Sequence, residues 1–435
     1  MTPTLIVPFL ILIAILGSGV WVGLGLAGIG IFSLEIFRNM PVEKLLAQSM
    51  WNGLSSAELL ALPLFILMAE LLFRSKFIDG VFGALEPWLR NLPGGLLHTN
   101  IIGCALFALI SGSSAATTTS IGRITVQELK SRGYSERLSI GTLAGAGTLG
   151  FLIPPSTIMI VYGVLSQTSV LKLFAAGILP GLLLSACFMG YVAVRAWIDP
   201  AITGTSEPVT RSELWRQRLS KLPQLLPFLL LILAILGSMY GGLASPTEAA
   251  AFAVFATAII MAFERTLTLS TLRDAAIGTA RTVSMLGLII ASASFLSVTM
   301  GFLGMPRAVS AFVGSLHLAP LVLILLLIVI YIVLGSFLEG MSLIVMTLPI
   351  VLPLVEAAGY DKVWFGVFLI LMVELAQISP PVGMNLFVLQ GLTGKPLSQI
   401  VRAALPFFTL MMLFVVLLAV FPGVVTGLPA LLLGP

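Results

Sequence analysis

Long apolar stretches, separated by short polar connections, recur along the whole chain. A transmembrane helix needs about 20 mostly apolar residues, and the pattern predicts about 11 to 12 membrane segments, counting whole and half spans. This predicts an all-α polytopic membrane protein in which 1–435 form a single integral membrane domain. The predicted segments are 4–33, 53–73, 95–119, 138–163, 170–198, 224–243, 247–264, 276–303, 319–336, 337–355, 363–392 and 403–427.

The composition agrees with the bilayer as the solvent. Hydrophobic residues make up 58% of the chain and charged residues 9%, against about 25% charged in an ordinary globular domain. The first apolar stretch has no basic residues before it and is long for a signal peptide, so we expect a retained span. The basic residues are spread over loops and form no stripe, which gives nucleic-acid binding no support.

The chain resembles itself at a fixed offset. Three dipeptides recur 226 positions later, so that two segments, 54–198 and 280–424, are predicted to be copies of one unit joined by a connecting arm and scaffold helices at 199–279. The matching pairs are Gly133-Tyr134 with Gly359-Tyr360, Pro154-Pro155 with Pro380-Pro381, and Leu179-Pro180 with Leu405-Pro406.

Loop charge predicts that the two copies are inverted. The segment 123–137 carries four basic residues, whereas its counterpart 349–363 carries one beside two acidic residues. Short basic loops stay cytoplasmic, so these equivalent loops are expected on opposite sides of the membrane, with the basic loop 195–221 also cytoplasmic. Inverted repeats are typical of secondary transporters.

Each copy contains a predicted helix break at its double proline. Proline removes a backbone donor and disfavours helix in the residue before it. The carbonyl groups that lose their partners must then be buried in protein or line a polar cavity, where transporters hold a coupling cation and an anionic substrate. A plain proline kink is the alternative, but two breaks at equivalent positions favour the site.

A polar island precedes each break, at 111–120 and at 335–342. Both lie in apolar stretches too short for two full spans, so re-entrant hairpins are expected. Hydroxyl and carbonyl oxygens suit a hard alkali cation. Small residues also permit close helix packing, which is the favoured role of Ala115 and Ala116.

Four acidic residues lie within or beside predicted spans, where ionisable groups are costly. Glu248 has the form of a helix capping box with Ser245, and Glu70 is expected to pair with Arg74. For Glu339 and Glu374 two roles stay open: binding of a cation or proton, and stabilisation of a neighbouring helix.

The motifs that resemble catalytic or cofactor-binding patterns are not supported by the residues around them. The glycine pattern at 23–28 lies inside an apolar span and not between a strand and a helix. His98 and His317 have no nearby cysteine or second histidine, and the sequence has no serine elbow, zinc motif or Walker loop. We therefore expect a protein that is not an enzyme and that holds no organic cofactor.

At these residues the sequence resembles a known family, the large membrane (M) subunit of TRAP transporters, the tripartite ATP-independent periplasmic systems. The similarity covers nearly the whole chain in order. It is carried by the stretches 65–70, 112–117, 147–156, 245–250, 335–353 and 379–388, with one departure at Glu339, where Asp is more usual.

The resemblance implies an elevator-type ion transporter of the bacterial inner membrane. Such a permease performs sodium symport of an organic anion: a dicarboxylate, a keto acid or a sugar acid. A periplasmic substrate-binding protein delivers the anion, and a small four-helix membrane subunit completes the scaffold.

The resemblance also implies two sodium sites, with Na⁺ as the coupling ion and substrate nearby. One would use Ser113, Ser114 and Thr117 with backbone from Gly150 to Pro154 and Pro155. The other would use Gly335, Gly340 and Ser342, with Glu339 in the same hairpin and backbone around Ser379, Pro380, Pro381 and Gly383. Asn385 is expected near the substrate.

Three alternatives remain open. The first is a free-standing broken-helix permease that works without a binding protein. An intramembrane enzyme would need a nucleophile and base, or a metal cluster, which the sequence does not offer. A passive channel is disfavoured because paired breaks suggest an occluded binding site.

Overall fold

A computed structural model describes residues 20–38, 41–75, 77–204, 210–315 and 319–434, which are helical apart from turns and loops and contain no strand. The first part of the predicted span 4–33, and His317, lie outside them. The α-helices in the described ranges are α1 Val22–Phe37, α2 Val42–Leu54, α3 Ala61–Leu72, α4 Phe77–Leu89, α5 Leu97–Ser111, α6 Ser114–Ser131, α7 Glu136–Thr148, α8 Thr157–Ser166, α9 Val170–Ile198, α10 Arg211–Tyr240, α11 Pro246–Phe263, α12 Leu269–Phe302, α13 Met305–Ser315, α14 Pro320–Gly335, α15 Gly340–Ala357, α16 Lys362–Gln377, α17 Met384–Thr393, α18 Leu397–Val420 and α19 Gly423–Leu433. Short 3₁₀ turns lie at Ala57–Leu60 and Pro200–Ile202.

Fewer helices can cross a membrane whole than there are predicted segments. In the described ranges, six helices are long and apolar enough to span, and a seventh span arises if α2 and α3, bent by 58°, count as one. The other apolar segments are shorter because the polar islands and the double prolines divide them. Four of the resulting pieces are α5, α8, α14 and α17.

Equivalent local signals shape the two copies. Ser113 caps α6 and Glu339 caps α15, and the next helix is capped by Ser135 in the first copy and by Asp361 in the second. Each cap oxygen accepts a backbone N–H that has no partner within the helix. The turns before α7 and α16 each contain a glycine with positive φ, +79° at Gly133 and +87° at Gly359, a conformation that favours glycine.

The copies run in opposite directions. Glu136, at the start of α7, forms a 2.9 Å ion pair with Lys395, which lies in the turn between α17 and α18. At the other end of the α7–α8 path, the Tyr162 hydroxyl donates to the Lys362 carbonyl at 2.6 Å. The turns that precede α7 and α16 are equivalent in sequence, so their positions at opposite ends are those of inverted repeats.

The repeats pack into each other around α16. Every residue of α16 from Val363 to Gln377 is buried, and its aromatic side chains stack, with the Trp364 and Phe368 ring centroids 5.5 Å apart. Helix α17 packs against α6 and α18 against α7, so each repeat contributes to one core. Helix α12 lies beside this core and packs against α1, α2 and α3.

Candidate ion and substrate site

The first break lies inside the core. Helix α7 ends at Thr148, α8 begins at Thr157, and the segment between them is buried throughout. The Pro154-Pro155 bond is cis, and Ser156 caps α8 by accepting the Met159 N–H. The segment therefore presents backbone groups that no regular helix satisfies, in a place without water exposure.

The first hairpin is formed by α5 and α6, and its tip at Gly112 and Ser113 lies directly against this break. A Cβ atom on Gly150 would lie 3.2 Å from the Thr117 hydroxyl oxygen and 3.3 Å from the Ser113 carbonyl oxygen. Only glycine permits this approach without displacing a neighbour. The structure thus brings together the predicted residues Ser113, Thr117 and Gly150.

Hydroxyl groups are concentrated at this tip. The Thr117 hydroxyl donates to the Ser113 carbonyl at 2.8 Å and lies 2.6 Å from the Ser111 hydroxyl. The Thr157 hydroxyl donates to the Gly112 carbonyl at 2.9 Å and so ties α8 to the hairpin. Carbonyl and hydroxyl oxygens from the hairpin and from the start of α8 therefore converge here.

One hydrogen bond joins the first hairpin to the second broken helix. Asn385 and Ser114 are both fully buried, and the Asn385 side-chain amide donates to the Ser114 hydroxyl at 2.7 Å. The Asn385 carbonyl oxygen is buried without a hydrogen-bond partner among the described residues. The link places α17 at the first site, and substrate contact by Asn385 stays a prediction.

The second break is more open. Helix α16 ends at Gln377 and α17 begins at Met384, and Ser379 is buried whereas Pro380 and Pro381 are exposed. The bond between the two prolines is cis, as in the first break. Ser379 donates its hydroxyl to the Leu375 carbonyl at 2.8 Å, which ends the helix locally.

The second hairpin is formed by α14 and α15. Three glycines allow this hairpin and the second break to approach α16. A Cβ on Gly335 would collide with Ala376, and one on Gly340 would collide with Val373 and reach 3.4 Å from the Gln377 amide nitrogen. A Cβ on Gly383 would lie 2.8 Å from the Gln377 carbonyl oxygen. Gln377 therefore connects the hairpin tip with the break.

Glu339 acts as the cap of α15. Its carboxylate accepts the backbone N–H groups of Met341 at 3.1 Å and Ser342 at 3.3 Å. The same oxygen lies 3.5 Å from the Ser342 hydroxyl. This geometry gives Glu339 a structural role, and binding of an ion by Glu339 stays a prediction.

The other three acidic candidates have different surroundings in the structure. Glu248 forms the predicted capping box with Ser245, and Glu70 pairs with Arg74, so both predictions are confirmed. Glu374 is fully buried, and its carboxylate faces the Leu152 backbone in the first break. It occupies the position in α16 that Thr148 occupies in α7.

The oxygen atoms at both breaks are better ligands for a hard monovalent cation than for a transition metal. Hydroxyl and carbonyl oxygens dominate the first site, and a carboxylate and hydroxyls accompany the second. Across the described ranges, no three His, Cys, Asp or Glu side chains gather as metal ligands. If Na⁺ binds here, Ser113, Thr117 and the backbone from Gly150 would hold it in the first site.

The predicted site residues leave out three polar side chains at these places: Ser111, Thr157 and Gln377. Ser111 lies within the predicted polar island 111–120, Thr157 follows the first break and Gln377 precedes the second. Their polarity within apolar surroundings was the available signal. Their specific partners depend on contacts between segments distant in the chain.

Comparison with known proteins agrees with this architecture. Residues 8–424 match the family model of the tripartite ATP-independent periplasmic transporter, DctM component. The chain is 32% identical over 412 residues to the C4-dicarboxylate TRAP transporter large permease protein DctM of Pseudomonas aeruginosa, with 93% of each chain covered.

A second relative is named for a different substrate. The sialic acid TRAP transporter large permease protein SiaM of Vibrio cholerae is 29% identical over 426 residues, covering 95% of this chain and 98% of the relative. The YdaH transporter of Alcanivorax borkumensis shares the fold, with a TM-score of 0.60 at 15% identity over 87% of each chain.

Full-length agreement with permeases, together with two inverted hairpin–break units, shows a multi-pass transport protein and not an enzyme. The chain belongs to the DctM component family of tripartite ATP-independent periplasmic transporters.

Proposed function

We propose that this permease performs sodium-coupled uptake of an organic anion across the bacterial inner membrane. The observation that carries the proposal is the pair of hairpin–break sites, joined by the bond between Asn385 and Ser114. Each site gathers backbone and hydroxyl oxygens, which are suitable ligands for Na⁺. Substrate would bind near the half-helix N-termini, where the helix dipoles favour an anion.

The proposal includes movement of the core as an elevator. The core built from α5–α9 and α14–α18 would move against a scaffold of α1–α3, α11 and α12. The packing within each group supports this division, because α12 packs closely with α1, α2 and α3 while α17 and α18 pack with α6 and α7.

Two partners complete the proposed system. A periplasmic substrate-binding protein would deliver the anion, and a small four-helix membrane subunit would extend the scaffold. The names of the two relatives, which refer to C4-dicarboxylate and sialic acid, support an organic-acid cargo. Those names differ between relatives of similar identity, so family membership leaves the substrate class open.

The test is uptake of a labelled organic-acid panel into proteoliposomes that contain this chain and the small subunit. Each acid is assayed with its cognate binding protein, with and without an inward sodium gradient. We expect uptake that needs both the binding protein and sodium. Uptake without the binding protein would support a free-standing permease, and uptake indifferent to sodium would contradict the coupling.

A further inference from the structure

A polar cavity of about 860 Å³ lies apart from the two breaks. It is bounded by α2, the turn around 56–58, the junction between α8 and α9, and the last third of α12. None of the residues at the two candidate sodium sites lines it. Its volume is within the range of about 300–1,000 Å³ found for small-molecule sites.

The cavity lies between the proposed scaffold and the proposed moving core. Helices α2 and α12 belong to the scaffold, whereas α8 continues from the first break. Since α8 has ten residues, its far end is about 15 Å from that break. A solute in the cavity would therefore be one helix length from the candidate ion site.

Hydrogen-bonding groups without positive charge dominate the wall. The side-chain amides and hydroxyls that line it include those of Gln48, Asn52, Gln167, Thr168, Ser294 and Ser297. Amides and hydroxyls both donate and accept hydrogen bonds. Such groups match a solute that carries several hydroxyl or amino groups.

The charge of the wall is negative. Glu58 is the charged residue among the described residues that line the cavity, and neither lysine nor arginine occurs among them. Proteins usually recognise carboxylates with arginine or lysine. A second carboxylate on a solute would meet Glu58 with no counter-cation, whereas hydroxyl or ammonium groups could donate to it.

Gln167 places a polar side chain at the cavity wall despite an unfavourable backbone conformation. Gln167 has φ +54°, a left-handed conformation that disfavours most L side chains and suits glycine. Its N–H closes α8 on the Gly163 and Val164 carbonyls. Glycine would satisfy the backbone better, yet the chain places an amide at the cavity wall.

We propose that this cavity is an entry site that selects monoanionic organic acids with a donor-rich distal part, such as sugar acids, over dicarboxylates. The inference rests on the proposed function and names the substrate class within it. The distal hydroxyl groups of such a solute bind the side-chain amides and Glu58 in the cavity. Its single carboxylate then remains available to bind at the transport site.

The test uses protection of an introduced thiol in the purified full chain. Ser297→Cys is made in a Cys187→Ser background, and the buried Cys104 is retained. The rate of modification by neutral hydroxyethyl methanethiosulfonate is measured with gluconate or succinate at equal sodium concentration and ionic strength. We expect gluconate to slow the reaction, about tenfold at roughly ten times its Kd, and succinate to have little effect.

Three variants sharpen the result. Ser212→Cys, an exposed position in α10, controls for direct effects of the solutes on the reagent and should show no protection. Glu58→Gln should allow succinate to protect. Gln167→Gly suits the left-handed backbone, so it should fold and yet weaken protection by gluconate severalfold.

The outcomes separate this inference from the proposed function. Equal protection by both solutes with Glu58 present, or no protection by either, would overturn the cavity assignment even if sodium-driven uptake is observed. Selective protection by gluconate without uptake of any organic acid would support the cavity and contradict the proposed transport.

Discussion

The two helix breaks have equivalent sequences but different surroundings. Pro154 and Pro155 are buried in the core, whereas Pro380 and Pro381 are exposed. The first hairpin tip is built from hydroxyl groups around Gly150, while the second carries the carboxylate of Glu339 as a helix cap. An inverted repeat therefore duplicates the backbone scaffold and leaves the chemistry of each copy free to differ.

This difference indicates which substitutions each site should tolerate. In the first break, close contacts leave no space for added atoms, so geometry limits the site. In the second break, the exposed residues Pro380, Pro381 and Val382 are expected to tolerate change, and the constraint lies in the helix cap and in the close contact at Gly383. Three substitutions test this contrast, in order of decreasing expected effect.

The largest effect is expected from Gly150→Val. The added side chain would push against the Thr117 hydroxyl and the Ser113 carbonyl, and overpacking of this kind costs about 3 kcal/mol at the upper end. Thermal unfolding in detergent and uptake in proteoliposomes measure the effect, and we expect a destabilised chain with no uptake.

Gly190→Val is the matched control, because a Cβ at Gly190 meets nothing within 4 Å. Val382→Phe makes a comparable test at the second break, where Val382 is 48% exposed. Stability of Gly150→Val close to that of these two variants would show that the two breaks are equally tolerant.

A smaller effect is expected from loss of the link between the repeats. Ser114→Ala leaves the buried Asn385 amide without its acceptor, and such an unsatisfied group costs about 2 kcal/mol. Asn385→Leu and the double variant complete a thermodynamic cycle, measured by denaturant unfolding.

The cycle should show that the double variant is less destabilised than the sum of the single variants. Strictly additive effects would mean that the Asn385–Ser114 bond contributes no coupling between the two sites. Apparent sodium affinity, measured on the same variants, should fall if the link also positions the first site.

The smallest effect is expected from removal of the second hairpin's cap. Glu339→Ala loses acceptors for the Met341 and Ser342 N–H groups, which costs about 1 kcal/mol. Glu339→Ser keeps a capping oxygen without the carboxylate, so it should restore the unfolding temperature.

Sodium-dependent uptake by Glu339→Ser then distinguishes the two roles. Unchanged sodium dependence would assign Glu339 to the helix alone. Weakened dependence at normal stability would make its carboxylate part of the second ion site, which is one of the two roles that the sequence left open.

Local signals in the sequence were sufficient for much of the fold. Double prolines interrupt α7–α8 and α16–α17 because proline cannot donate a backbone hydrogen bond. The polar islands 111–120 and 335–342 mark the hairpin tips because polar groups are costly within apolar stretches. The fixed spacing of these features revealed the repeat, and loop charge indicated its inversion.

The partners of the site residues depended on the tertiary structure. Asn385 and Ser114 are 271 residues apart, and no local pattern specifies that they meet. Gln377 became part of the second site only because Gly340 and Gly383 approach it from two directions.

The sequence by itself determined an all-helical polytopic protein whose helices break at the two double prolines, because helix breaking, capping and apolar length are local properties. The tertiary structure decided which oxygens converge, that the first break is buried and the second exposed, and where the polar cavity lies. Those features depend on how distant helices pack, since each contact is set by the shapes of both surfaces at once.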